Sequence, residues 1–333
     1  MHEYEGVCWL SVHSCGFVVG PRRSCGALRF GRGCTSLGAN APRSCVRPTR
    51  VRERGRRVAG WFCLPPVARP DRVGRPAALV RRARAVYVKV RPVQASVLDE
   101  HAREELAPRM PLLGTPVEQA VARENGLRYI VRPADGLNVG LFLDMREVRA
   151  AVRVLAAGKI VLNCFAYTCA FGVAALAGGA RRVLNLDISR RYLDWGRENT
   201  ALNGFSAPPS DFVRGDVFDW LARLGRRGER FDIVILDPPS YSTTRETRFS
   251  VERDMRRLVA LAARVVVPGG WLIACTNCEQ LGLDSFVARV RAGLEGHAAQ
   301  IVRTQHEPAD DFPLAPGVPP HLKACFIRFG AAS

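Results

Sequence analysis

What this chain of 333 residues lacks narrows its class first. No apolar run approaches the ~18 residues that a membrane-crossing helix requires. No basic flank followed by an apolar stretch marks a secretory leader, so a cytoplasmic location is expected. Neither GxGxxG nor GxxxxGK followed by Ser or Thr occurs, which disfavours a dinucleotide dehydrogenase and a P-loop nucleotidase. Acidic residues are scarce at one end. Residues 1–91 hold 4 of them against 19 basic ones, whereas residues 92–333 hold 27 against 30. Almost all of the formal net charge of +18 therefore sits in the first quarter of the chain. A basic arm attracts nucleic acid by neutralising phosphates. The plainer reading is a solvated, disordered segment. Residues 1–84 are rich in Arg, Gly, Pro and Cys and keep no period of 3.6 or 2, so disorder is the expectation adopted for them.

Six of the 11 cysteines (Cys8, Cys15, Cys25, Cys34, Cys45 and Cys63) fall in this stretch. They never form CxxC, so zinc is not indicated, and a disulfide scaffold would need a secretory context. The other five lie in apolar segments, where cysteine acts as a small core residue.

Regular patterning starts at Ala85–Val90, which alternates as a half-buried strand does. Two further alternating runs, Val117–Arg123 and Leu127–Val131, flank Glu124-Asn125-Gly126, a strong hairpin signal. Residues 85–132 thus read as a small β-rich element with a hairpin, and residues 133–330 as the main domain. There, helices are expected at Asp144–Ala157, Ala170–Ala177, Arg190–Leu202, Phe218–Leu224, Val251–Val267 and Ser285–Leu294. Strands are expected at Lys159–Phe165, Arg182–Asp187, Phe212–Arg214, Phe231–Leu236, Trp271–Thr276, Gln300–Gln305 and Lys323–Phe329. Such alternation builds right-handed βαβ units and a doubly wound, Rossmann-like parallel sheet. The last two strands have no helix between them, so an antiparallel edge is expected.

In a doubly wound sheet the ligand lies beyond the carboxyl ends of the strands. The first strand runs into Asn163-Cys-Phe-Ala-Tyr-Thr168, followed by the small residues Cys169 and Ala170. The second ends in Asp187, 24 residues after Asn163, a spacing that suits an acceptor for ribose hydroxyls. The third ends in Gly215-Asp216, placed to accept from an adenine amino group. The fourth ends in Asp237-Pro238-Pro239-Ser240. Tandem prolines fix φ and remove donors, leaving a stiff lip of free carbonyls. Three carboxylates at successive strand ends, each beside apolar residues, imply partners rather than mere solubility.

The segments Gly140-Leu-Phe-Leu-Asp-Met-Arg146, Leu162–Thr168, Ala177–Ala180 with Asn185–Ser189, Leu202–Gly204 and Asp237–Tyr241 carry a resemblance. Residues 117–330 resemble the large-subunit ribosomal RNA methyltransferases that modify cytosine carbon 5 or guanine nitrogen 7. The resemblance implies S-adenosylmethionine as cofactor, held near Arg146, Phe165, Tyr167, Thr168, Asp187, Ser189, Asp216 and Asp237. It implies ribosomal RNA as the partner, with no metal and no membrane, and leaves the oligomeric state open. Asp237, Pro238 and Asn277 are the candidates for orienting the base.

The cytosine enzymes of this group carry Ser-Cys-Ser after the fifth strand, with the cysteine as nucleophile. Here the stretch reads Cys275-Thr-Asn-Cys278, so Asn277 takes that slot and Cys278 falls one place later. Thr276-Asn277 and Phe249–Asp254 resemble the guanine branch instead. The lone CxxC of Cys275 and Cys278 lacks two further ligands for zinc. Tyr241 either stacks on a flipped base or packs the lip. His101, His297, His306 and His321 show no pairing pattern and are expected at surface or loop positions. Rival readings are methylation of DNA or of a small molecule, and a non-catalytic protein that keeps the fold and cofactor.

Overall fold

The computed structural model describes residues 8–13, 16–17, 57–64, 84–92, 107–243, 248–314 and 317–331. Seven strands build the main sheet: β1 (Ile160–Cys164), β2 (Arg182–Asp187), β3 (Phe212–Arg214), β4 (Phe231–Leu236), β5 (Val266–Thr276), β6 (Ala299–Gln305) and β7 (Lys323–Phe329). Their order is β3-β2-β1-β4-β5-β7-β6. Strands β1 to β5 run parallel, and β7 runs antiparallel to both β5 and β6. The connecting helices are α1 (Arg146–Leu155), α2 (Ala170–Ala177), α3 (Arg190–Leu202), α4 (Val217–Arg226), α5 (Val251–Ala263) and α6 (Leu283–Gly293). Strand order reverses between β1 and β4, which opens a crevice at their carboxyl ends.

The period-2 alternation of the strands feeds two cores. Leu162, Val234, Leu236 and Leu272 face one layer with Leu221, Leu258 and Phe286 of α4, α5 and α6. Their neighbours Val161, Ile233, Ile235 and Ile273 face the other layer with Val148, Val152 and Phe171 of α1 and α2. Neighbouring strand residues point to opposite faces, so a one-residue slip would exchange the two cores.

Several boundaries fall where the sequence puts them, including α2, α3, β2, β3, β4 and β7. One does not. The helix expected to reach Val267 stops at Ala263. Phe231 N–H donates to the Val265 carbonyl at 2.8 Å, and Val266 pairs with Phe231. The β-branched run Val265–Val267 thus leads into the interior strand β5 rather than a further helical turn. Pro268-Gly269-Gly270 lies inside β5, at the register shift opposite Phe231 and Ile233. Gly269 there has φ +70, a conformation that suits glycine.

The hairpin Ala120–Glu124/Leu127–Val131 turns through Asn125 (φ 50) and Gly126 (φ 79), both positive as a tight primed turn requires. It docks on the main domain. Arg149 Nε and Nη2 grip Glu124 at 2.7 and 2.6 Å, both side chains being buried. Ile130 donates its N–H to Asn199 and accepts from Trp195 Nε1, so α3 holds the other strand.

Parts of residues 1–84, a segment expected to be disordered, fall among the described residues. Strands Cys8–His13, Gly16–Phe17 and Arg57–Leu64 lie within it and join Ala85–Pro92 and Leu113–Gly114 in a five-stranded sheet. Arg57–Leu64 pairs antiparallel along the whole of Ala85–Pro92. Its Val-Ala-Gly-Trp-Phe-Cys run is β-prone, but the Arg and Pro on either side hide that in a composition reading. The rest of residues 1–83, and His101, lie outside the described residues.

Candidate active site

The turn leaving β1 is held in an unusual backbone. Phe165, Tyr167 and Cys169 have φ of 58°, 48° and 59°, at alternate positions and without a glycine among them. Each L-residue in this region costs roughly 1–2 kcal/mol, so the surroundings must impose it. They do so through the backbone. Ala166 N–H donates to Leu186 O at 3.0 Å, and Cys169 N–H to Ala166 O at 2.7 Å. Thr168 Oγ1 donates to Gly140 O at 2.6 Å, and its carbonyl accepts from Asn199 Nδ2 at 3.0 Å. The Tyr167 ring packs among Phe142, Tyr192 and Trp195. Cys169 is buried against Gly196, where a Cβ would strike its sulfur. The small residue matters here for packing on α3 as well as for backbone approach.

Asp187 closes the same turn from β2. Its Oδ2 accepts from Tyr167 N–H at 2.9 Å and its Oδ1 from Ser189 N–H at 2.8 Å. Burial pushes its carboxyl up, while these N–H groups pull it back. Ile188, beside it, leaves 51% of its surface exposed at the strand end. Ser189 caps α3 by accepting from Tyr192 N–H at 3.4 Å. Asp216 caps α4, its Oδ1 accepting from Phe218 N–H at 2.8 Å and Asp219 N–H at 3.3 Å. Asp216 therefore has a structural partner that the strand-end reading did not foresee, with its second oxygen outside that cap.

Across the crevice, Asp237 follows β4. Burial pushes its carboxyl up to about 7, with Asp144 adding to the rise and Arg149 opposing it. Pro238 is buried and Pro239 exposed, so the lip turns one ring inward. Ser240 Oγ donates to Asn277 Oδ1 at 2.9 Å, bridging the ends of β4 and β5. Asn277 is exposed, whereas the next residue, Cys278, is buried with its thiol 3.4 Å from Gln280 Oε1. Tyr241, 40% exposed, hydrogen-bonds the Cys278 side chain and opens the hairpin Tyr241–Thr243/Arg248–Ser250. Cys164, Cys169, Cys275, Cys278 and Cys325 are all buried. Among the described residues no group of three or more His, Cys, Asp or Glu is arranged to hold a metal ion, and no helix is long and apolar enough to cross a membrane.

Residues 89–327 match the S-adenosylmethionine-dependent methyltransferase family. The chain belongs to that family. It is 35% identical over 218 residues to the ribosomal RNA large subunit methyltransferase I of Aeromonas salmonicida, covering 64% of this chain and 55% of that protein. It is 33% identical over 259 residues to its counterpart in Photobacterium profundum, covering 75% and 65%. The chain thus spans a little over half to two thirds of these relatives. Among solved structures, SMU.776, described as a methyltransferase and complexed with SAH, superposes with TM-score 0.63 at 31% identity. That superposition covers 67% of this chain and 59% of SMU.776.

The cofactor of the family is S-adenosylmethionine, and the crevice fits it. Asp187 keeps a second lone pair on each oxygen after its backbone bonds, which suits ribose hydroxyls. The exposed face of Ile188 suits an apolar ring edge. Arg146 is buried and engaged otherwise, by Asp311 and, at 3.0 Å, by Glu147. Phe165, Tyr167, Thr168, Asp187 and Ser189 thus lie together where β1 and β2 end, and Asp237, Pro238 and Asn277 lie where β4 and β5 end.

Three groups escaped the sequence reading. His321, expected at a surface or loop position, lies between Asp144 (Nε2 to Oδ2, 3.2 Å) and Glu307 (Nδ1 to Oε1, 3.0 Å). It does lie in a loop, before β7, but it is paired there: its partners lie 177 and 14 residues away in sequence, so no local spacing could reveal them. His306 also has a partner, its Nδ1 lying 2.8 Å from the Leu322 carbonyl. Asp144 stood within the Gly140–Arg146 segment, which was the available signal.

Proposed function

We propose that this chain transfers the methyl group of S-adenosylmethionine to a base of large-subunit ribosomal RNA in the cytoplasm, and that the accepting atom is a ring nitrogen. The names of its relatives support the substrate class. The observation that carries the atom assignment is the Ser240–Asn277 bridge beside Asp237, with Cys278 buried one place farther on.

The bound cofactor supplies an already activated methyl group, so the protein's task is alignment. Asp187 and the turn at Phe165–Cys169 hold the nucleoside half. Asp216 offers its uncapping oxygen to the adenine edge, and Arg146 and Ser189 stiffen the walls. Asp237, as an acceptor, and the Pro238 carbonyl orient the amino or imino edge of the base. Asn277 fixes the far rim through Ser240. A ring nitrogen with a lone pair needs only this orientation. Carbon 5 of cytosine would need a thiolate to add at carbon 6 first, and such a thiolate must face the base.

A mass-shift map of ribosomal RNA from a deletion strain tests the reading. A single methylated base should disappear and return with the wild-type gene but not with Asp237→Ala. An unchanged map favours DNA, a small molecule or a non-catalytic role.

A further inference from the structure

At the end of the sheet away from the crevice, where α4 and α5 finish and β4 and β5 begin, lies a cavity of about 650 Å³. Arg226, Arg230, Arg264 and His297 line it, over a floor of small and apolar residues such as Ala222, Gly225 and Val266. A Cβ on Gly225 would stand 3.8 Å from Arg264 Cβ, so the ends of α4 and α5 meet here. The three arginines and the histidine are exposed. The run Arg223-Leu-Gly-Arg-Arg-Gly-Glu-Arg230 supplies four arginines against one glutamate. That glutamate, Glu229, faces Arg227 at 3.8 Å, and Glu295, two residues before His297, pairs with Arg256 at 3.2 Å. Among the described residues no carboxylate lies within ion-pair distance of Arg226, Arg230 or Arg264.

Basic side chains at helix carboxyl ends commonly serve the helix, by hydrogen-bonding its last carbonyls and offsetting its dipole. Arg226 and Arg264 stand at such ends, yet among the described residues neither guanidinium takes a carbonyl. The last carbonyls of α4 go to backbone donors instead, Arg227 N–H reaching Arg223 O at 3.1 Å and Glu229 N–H reaching Leu224 O at 3.0 Å. Guanidiniums gathered round one cavity with no carboxylate between them repel one another, and a bound anion relieves the repulsion. Phosphate suits them best, because the guanidinium fork matches its oxygens. We propose that this pocket holds backbone phosphates of the RNA substrate, so that the enzyme grips its RNA at the amino end of the sheet as well as at the crevice. The inference rests on the reading of ribosomal RNA as the substrate. The six residues of β4 separate the two places by ~20 Å. The phosphates therefore belong to a part of the folded RNA other than the methylated nucleotide. Such contacts add affinity and fix orientation without reading sequence.

The test compares two double variants of the full chain that lose the same charge. Arg226→Ala/Arg264→Ala strips the pocket, whereas Arg291→Ala/Arg303→Ala removes exposed arginines of α6 and β6. Binding to unmodified large-subunit ribosomal RNA, transcribed in vitro, is measured across salt concentrations. The slope of log affinity against log salt should flatten by about 1.5 in the pocket variant, two phosphate contacts at roughly 0.7–0.9 each. In the other variant it should stay near wild type. The pocket variant's KM for RNA should rise roughly tenfold with kcat unchanged, because phosphate contacts bind without touching the reacting atoms. Its affinity for S-adenosylhomocysteine should not move. Equal flattening in the two variants, or none in the pocket variant, overturns the inference. If inorganic phosphate shifts the Nε–H NMR signals of Arg226 and Arg264 while that slope stays at the wild-type value, the pocket takes a small anion instead and the inference falls. A wild type that leaves this RNA unmethylated sinks the substrate reading, and the two slopes still decide whether the pocket takes RNA phosphate.

Discussion

The carboxylate of Asp187 accepts the backbone N–H of Tyr167 at 2.9 Å, so the end of β2 fixes the shape of the turn that leaves β1. One side chain thereby serves two ends: it holds a residue at φ 48° and presents lone pairs to the crevice. Asp187→Ala should weaken S-adenosylhomocysteine binding by one to two orders of magnitude. That corresponds to ~1.5–3 kcal/mol for a charge-assisted hydrogen bond. Asp187→Asn, which keeps an acceptor on one oxygen only, should fall in between. Titration calorimetry decides, and equal affinities for wild type and Asp187→Ala would remove Asp187 from the cofactor site.

Gly140 supports the same turn from behind. Its carbonyl accepts Thr168 Oγ1, and its φ of +114° admits little but glycine. A Cβ there would collide with the Trp195 ring and come within 2.9 Å of the Ile130 carbonyl oxygen. Gly140→Ala should cost about 2–4 kcal/mol, overpacking and backbone strain together. Urea denaturation measures it. Cofactor affinity should drop as well, because Thr168 follows Gly140, and a loss of stability without any loss of affinity would uncouple the two.

Cys278 tests the accepting atom. Its thiol is buried and turned to Gln280, while Asn277 is the exposed residue at the end of β5. Cys278→Ser should hold turnover on ribosomal RNA within a few-fold of wild type. An inactive Cys278→Ser, joined by covalent trapping on RNA that contains 5-fluorocytosine, would move the enzyme to carbon 5 chemistry.

The legible part of this molecule is what local pattern encodes. Val161 and Leu162, or Ile233 and Val234, alternate between two cores, and that alternation sufficed to place β1, and β4 with the Asp237 that follows it. Where a boundary failed, as at Ala263, the deciding partner was Phe231 on another strand. The small residues Cys169 and Ala170 marked the turn at Phe165–Cys169, but its three positive φ angles could not be read without glycines to mark them. They are imposed by Leu186, Asp187, Gly140 and Asn199, all distant in sequence. The partners of His321 went unseen for the same reason, since Asp144 lies 177 residues away.

Asp237 carries a stability cost that pH should expose. Its folded pKa is raised from 3.8 to about 7, chiefly by burial. Between those two values the folded protein keeps a proton that the unfolded chain has released, so stability must fall as pH rises through this window. Below 3.8 both states are protonated and the group contributes nothing; above about 7 both are ionised and the loss is complete. Asp237→Asn cannot ionise. It should match wild type near pH 3.5 and exceed it at pH 8, by a few degrees in Tm, since each kcal/mol is worth roughly 2–4 °C in a protein of this size. The same variant should lose methyl transfer by orders of magnitude, because an amide cannot take the place of the carboxylate on the base edge. Scanning calorimetry across pH separates the two effects. A gain in stability at pH 8 with activity intact would keep the buried carboxyl and discard its role towards the base. A variant less stable than wild type at pH 8 would mean that Asp237 is satisfied in its ionised form, and that the strain inferred at this strand end does not exist.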